Sequence, residues 1–217
     1  CEQDILILWK RHAFIIETKG YSIREPLRDP NRAFVRIKDD FNKSIGYGYT
    51  QTRRVEEKFI SKMPLRLTDN NGNLKEEIDT KKYENDFSII VNLKSFGQIQ
   101  IDLSTLLERA SNEDVFPWVI KLDDLEVFLL TLKAQKKRPE YLVTYLLLRE
   151  RLHGKLICSD ELEVCGGFLK GKINERIFER SETIVLLPDL SSIFDEQFYK
   201  GMGFKNEKHL VEKNQEI

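Results

Sequence analysis

Two apolar runs open the chain, Ile5-Leu6-Ile7-Leu8-Trp9 and Ala13-Phe14-Ile15-Ile16, with polar Lys10-Arg11-His12 between them. Short runs of Ile, Leu, Phe and Trp around a polar break read as two β-strands and a tight turn. With a two-residue turn at Lys10-Arg11, Trp9 faces His12, Leu8 faces Ala13 and Asp4 lands opposite Glu17. A four-residue loop over 9–12 keeps that register, whereas a three-residue loop turns Glu17 to the other face. Lys-Arg is not a favoured type I′ pair, so composition leaves the turn length open. Side chains alternate along a strand, so the even register puts Asp4, Leu6, Leu8, Ala13, Ile15, Glu17 and Lys19 on one face. The other face carries Ile5, Ile7, Trp9, Phe14, Ile16 and Thr18. Both faces are largely apolar, which predicts a hairpin central in a sheet covered on both sides.

Residues 20–32, with Gly20, Pro26 and Pro30, read as a loop. From Phe34 to Ser61 the period becomes helical: Phe34, Ile37, Phe41, Ile45, Val55 and Phe59 mark an apolar stripe. Gly46 and Gly48 interrupt it, which predicts a kink or two helices. Gln51 lies one turn before Val55 and so points toward the sheet, while Arg53, Arg54, Lys58 and Lys62 fall nearer the outer face. Asp69-Asn70-Asn71-Gly72-Asn73 between Leu67 and Leu74 is a hairpin-turn signal. Strands are expected at 87–93, 97–101, 117–120 and 183–187, and helices from Asp123 or Asp124 to Leu132, from Pro139 to Leu152 and from Asp160 to Leu169. The charged tail after Phe204 is expected to fray. This division gives an α/β part over residues 1–122 and a mostly helical C-terminal extension over 123–217.

The chemistry concentrates at the first hairpin. Carboxylates directly opposite in a ladder sit roughly 5 Å apart at Cβ and repel, so one protonates or a cation sits between them. A hard ion such as Mg²⁺ takes one or two carboxylates and keeps several waters. Lys19, about 7 Å along the strand from Glu17, is placed to orient one of those waters or to neutralise a phosphate. The net charge of −1 hides an asymmetry: residues 1–66 hold 14 Lys/Arg against 9 Asp/Glu, and 67–217 hold 21 against 27. The basic part coincides with the hairpin, as a polyanionic substrate requires. Arg24, Arg28 and Arg32 in the loop, and Arg53 and Arg54 on the helix, are the candidate phosphate contacts. Tyr47 and Tyr49 are either base-stacking or core residues.

The acidic runs 123–126 and 160–163 suit helix N-termini. Cys1, Cys158 and Cys165 are too few and too oddly spaced for a disulfide framework or a zinc site, which fits a reducing, cytoplasmic setting. No apolar stretch approaches the ~18 residues of a membrane span. No P-loop, dinucleotide fingerprint or Ser-His-Asp arrangement is present.

Asp4, a short hairpin, and Glu17-Thr18-Lys19 together resemble the PD-(D/E)XK nuclease superfamily, and Gln51 in the following helix fits several of its branches. The likeness covers residues 1–66 well and 87–121 loosely. Gln3 stands where the family's naming proline would be. The resemblance implies a restriction-endonuclease-like fold, a central mixed β-sheet flanked by helices. It also implies Mg²⁺ (or Mn²⁺) held by Asp4 and Glu17, a catalytic Lys19, and Gln51 supporting the site or the substrate. The activity implied is metal-dependent hydrolysis of phosphodiester bonds, in DNA more readily than RNA. Because the family core begins with a helix and a strand before the aspartate, and Cys1 lies three residues before Asp4, those elements are expected to be missing from this sequence. Two other readings stand beside it: an inactive nuclease-fold module for nucleic-acid binding or assembly, and a phosphate-binding or regulatory α/β domain in which Glu17–Lys19 is an ordinary ion pair.

Overall fold

The structure, a computed structural model, describes residues 3–21, 24–25, 27–69, 71–109, 111 and 114–199. The chain divides into two compact units, Cys1–Lys94 with Phe116–Val119, and Ser95–Val115 with Ile120–Ile217. Residues 95–115 therefore pack with the second unit rather than with the α/β part.

In the first unit, β1 (Ile5–Trp9) and β2 (His12–Lys19) form an antiparallel hairpin. The turn is the two-residue one, with Trp9 paired to His12 and Ile5 to Ile16. Lys10 accepts a left-handed φ of 52° to close it. Asp29 caps helix α1 (Pro30–Phe41) by accepting from the Arg32 N–H, and Pro30 occupies the first turn, where its missing N–H costs nothing. Arg32 thus lies in a helix and not in the preceding loop. A π-helical turn, Asn42–Gly46, then leads into α2 (Tyr47–Ile60), so the interruption expected at the glycines is a widened turn. The apolar stripe starts later than its sequence pattern: Phe34 is 57% exposed, and burial begins at Phe41.

After the hairpin β3 (Leu65–Thr68) and β4 (Leu74–Ile78), the chain enters β5 (Asn85–Asn92), which runs parallel to β2. With β6 (Trp118–Lys121) the main sheet has the order β1-β2-β5-β6, and it is mixed, because β1–β2 is antiparallel and β2–β5 parallel. Helix α2 covers one face: Val55 and Phe59 close on Ala13 and Ile15, with Leu6, Leu8, Leu65 and Tyr83 at the margin. On the other face Phe14 stacks on Phe87, ring centroids 5.5 Å apart. Among the described residues β1 is an edge strand, and Ile5 and Ile7 are 45% and 47% exposed. The expectation of a hairpin central in its sheet holds for β2, which lies between β1 and β5, and fails for β1 at the edge.

In the second unit Gly97–Ile101, expected as a strand, is instead led by Gly97 at φ 62° into a short helix, α3 (Gln98–Ile101). The Gln100 side chain accepts from the Phe96 N–H and closes the turn locally. The rest is mainly helical: α4 (Leu122–Ala134), α5 (Glu140–Arg149), α6 (Glu161–Leu169), α7 (Glu175–Arg180) and α8 (Asp195–Tyr199). A two-residue parallel ladder joins β7 (Leu156–Ile157) to β8 (Ile184–Val185). Asp160 caps α6, whereas Asp123 and Asp124 sit inside the first turn of α4 rather than at its cap.

Asp124 carries a pH-dependent strain. Burial first, then the neighbouring carboxylate of Asp160, push its carboxyl up to about 7, against the pull of Lys121. A carboxyl whose folded pKa lies above its unfolded value of about 3.9 favours folding at low pH and loses that contribution as pH rises through the folded value. Asp124→Asn is therefore expected to match the wild type near pH 4 and to be the more stable protein at pH 8. Urea midpoints followed across that range check it; a pH-independent difference would contradict the assignment.

Candidate functional site

One step beyond the Ile5–Ile16 pair, the ladder brings Asp4 level with Glu17. The Asp4 N–H donates to Glu17 Oε1 at 3.4 Å, a long bond, while the Asp4 carboxylate itself turns to Thr18. Its Oδ2 accepts from the Thr18 N–H at 2.8 Å and from the Thr18 hydroxyl at 2.7 Å. Those two bonds, helped by the charge of Lys19, hold Asp4 below the usual carboxylate range.

Glu17 is fully buried. Its Oε2 accepts from Lys19 Nζ at 2.8 Å, and the same ammonium donates to Gln51 Oε1 at 2.6 Å. Lys19 and Glu17 alternate onto the α2 side of β2, and Gln51 comes down from α2 to meet them, as its place one turn before Val55 leads one to expect. Tyr47, one turn further back, lays its ring 5.5 Å from Lys19 Nζ. This meeting needs α2 close to the sheet. A Cβ at Gly48 would stand 3.1 Å from Lys19 Cε and 3.2 Å from the Ile90 side chain.

The group sits where β2 and β5 end together. Lys19 pairs with Asn92 across the parallel ladder, so both side chains project to the same face. The carboxyl ends of neighbouring parallel strands are the usual place for ligands in α/β sheets. Asn92 is 1% exposed; its Oδ1 accepts from Ser44 Oγ at 3.3 Å, and its Nδ2 has no partner. Asn92 and Ser44 were not found from sequence. The available signal was a polar residue ending the apolar run Ile89-Ile90-Val91, as Glu17 ends the run in β2.

The arginines divide. Arg24 is bound down: its Nε donates to Asp40 Oδ1 at 2.7 Å, its backbone N–H to Asp40 Oδ2 at 3.0 Å, and its guanidinium also meets Asp39. Asp40 is fully buried, so Arg24 anchors its segment to α1. Arg53 is likewise engaged, with Nη1 3.0 Å from Glu56 Oε2. Arg28, Arg32 and Arg54 are exposed. Arg32 lines an open depression of about 540 Å³ with Leu27, Val35 and Arg36. None of the five is shown meeting the Glu17–Lys19–Gln51 group.

Among the described residues no set of three or more His, Cys, Asp or Glu is placed to hold a metal ion. The pair Asp4 and Glu17 nonetheless fits a hard divalent ion in donor type, since such an ion takes one or two carboxylates and completes its shell with water. In the geometry described, both carboxylates already have partners, Glu17 in Lys19 and Asp4 in Thr18. Comparison with protein-family models, with curated proteins and with solved structures gave no match.

Proposed function

We propose that this chain is a metal-dependent nuclease domain of the PD-(D/E)XK type with a restriction-endonuclease-like core, hydrolysing phosphodiester bonds in DNA or RNA. The observation that carries the reading is the convergence of Glu17, Lys19 and Gln51 through one ammonium, beside Asp4 and at the carboxyl ends of two parallel strands. An isolated surface ion pair would not recruit a glutamine from a covering helix.

Asp4 and Glu17 are the residues that would hold Mg²⁺ or Mn²⁺. Such an ion supplies a water of lowered pKa and neutralises phosphate charge. Lys19 holds positive charge where a phosphate oxygen gains negative charge. Gln51 and Glu17 fix the direction of the Lys19 ammonium by accepting from it. Exposed Arg28, Arg32 and Arg54 add sequence-independent attraction to the phosphate backbone. DNA is the favoured polymer and the cytoplasm the favoured setting, with Cys158 and Cys165 as buried free thiols. No helix among the described residues is long and apolar enough to cross a membrane.

The test is cleavage of DNA and of RNA by the full chain with Mg²⁺ or Mn²⁺, against a chelator control. Divalent-dependent cleavage lost in Glu17→Gln is the expected result. No cleavage under either ion, or equal cleavage by Glu17→Gln, overturns the reading. The engagement of Asp4 by Thr18 favours a second reading, a nucleic-acid-binding module that does not cut. Salt-dependent binding without turnover is its signature.

A further inference from the structure

Tyr47 is in an unusual position for a large aromatic residue. It opens α2 directly after the π-helical turn and is 54% exposed, whereas Tyr49, two residues on, is 6% exposed and belongs to the core. Its i+4 neighbour on the helix is Gln51, and both approach the same Lys19 ammonium. The site therefore places an ammonium and an open aromatic surface side by side. That combination suits a ligand carrying an anionic group next to a flat unsaturated one.

We propose that Tyr47 is a stacking platform for an unpaired nucleobase beside the phosphate held at Lys19, and that the site takes single-stranded nucleic acid or a nucleotide freed from its duplex. This rests on the nucleic-acid reading above but not on cleavage. Stacking on an aromatic ring is available to any base, so it selects strand state and not sequence. In a duplex interior both faces of every base are already stacked, and only unpaired or terminal bases have a face to offer. The cation at Lys19, over the ring at 5.5 Å from its centroid, supplies the phosphate partner, and the exposed part of the ring is left for the base, so base and phosphate of one nucleotide are engaged together. The rival role, a ring that only shields Lys19, needs aromatic character but confers no strand preference.

The experiment uses the full chain with metal chelated and fixed salt. Affinities for a short oligothymidylate and for the matching A·T duplex are measured by fluorescence anisotropy, for the wild type, Tyr47→Leu and Tyr47→Trp. The wild type is expected to prefer the single strand. Tyr47→Leu should lose roughly 5- to 100-fold in single-strand affinity with little change for the duplex, and Tyr47→Trp should bind as well as the wild type or better. A 2-aminopurine in the strand should be quenched by the wild type and by Tyr47→Trp and not by Tyr47→Leu. Unchanged single-strand binding by Tyr47→Leu, a wild-type preference for duplex, or no single-strand binding overturns the proposal. Strand-selective binding without cleavage under either Mg²⁺ or Mn²⁺ would sustain it while ending the hydrolase reading; cleavage with unaltered single-strand binding by Tyr47→Leu would do the reverse.

Discussion

Lys19→Met is expected to destabilise the first unit by about 3–5 kcal/mol at neutral pH and to abolish any phosphodiester cleavage. The stability loss follows from burial. The Glu17 side chain is 1% exposed and that of Lys19 11%, with Nζ and Oε2 2.8 Å apart. Removing the cation leaves a carboxylate out of water with no opposite charge, and that penalty exceeds whatever the intact pair contributes. The Gln51 side-chain oxygen loses its donor at the same time. Glu17→Gln combined with Lys19→Met removes both charges and should recover most of the loss, which separates charge from packing. Both tryptophans of the chain, Trp9 and Trp118, belong to the first unit, so their fluorescence during urea unfolding reports on that unit alone. A double variant as unstable as Lys19→Met would show that the loss does not come from an unpaired Glu17 charge.

Arg149→Met is expected to cost the second unit a similar amount, again about 3–5 kcal/mol. Arg149 is fully buried, and it donates to Glu161 through Nε at 2.9 Å and Nη2 at 2.8 Å, and to the Ile101 carbonyl at 2.7 Å. Tyr145 donates to the same glutamate at 2.7 Å, and the Cys165 thiol donates to the Tyr145 oxygen at 3.3 Å. The substitution thus takes from Glu161 both guanidinium bonds and the positive charge that accompanies them. A second readout is independent of stability. Burial, and then the charge of Arg149, push His153 down to about 4. A histidine whose folded pKa is depressed leaves folding unaffected above its unfolded value of about 6.5 and opposes it as pH falls toward the folded value. Without Arg149 the imidazole should titrate at higher pH, followed by its ring proton resonances, and the acid-induced loss of stability between about pH 6.5 and 4 should shrink. If Arg149→Met does not fold, Glu161→Gln gives the complementary test: with the neighbouring negative charge gone and the arginine kept, His153 should not titrate higher. An unmoved His153 in folded Arg149→Met would contradict the coupling.

Much of the hairpin was legible because its information is local. The two apolar runs around the Lys10-Arg11 break specify a hairpin, an even turn puts Asp4, Glu17 and Lys19 on one face without tertiary help, and the structure has the two-residue turn among the lengths the sequence left open. Gln51 was legible for a similar reason, since its spacing from Val55 fixes which way it projects. What register cannot give is the rotamer. Alternation sends the Asp4 Cβ toward Glu17, yet the carboxylate swings to the Thr18 hydroxyl and N–H. Gly97-Gln98-Ile99-Gln100-Ile101 alternates like a strand but is too short for its period to outweigh one side-chain bond, that of Gln100 to the Phe96 N–H. The burial of Phe34 was misjudged because periodicity marks which face of a helix is apolar and not how far along the helix that face is covered. Phe34 and Phe41 lie two turns apart on one face of α1, and only the end next to the π-helical turn is covered. Asn92 was invisible because its meaning comes from a strand 73 positions away in the chain, its pairing with Lys19.

The missing Cβ at position 48 has a wider consequence. Helix and sheet approach there so closely that an added Cβ would press on the side chains of Lys19 and Ile90. Spacing and chemistry are thereby decoupled. Exchanging residues 47 and 51 for others of different reach and polarity leaves that glycine contact in place, so a lineage could retune what the site grips without altering the close approach at residue 48.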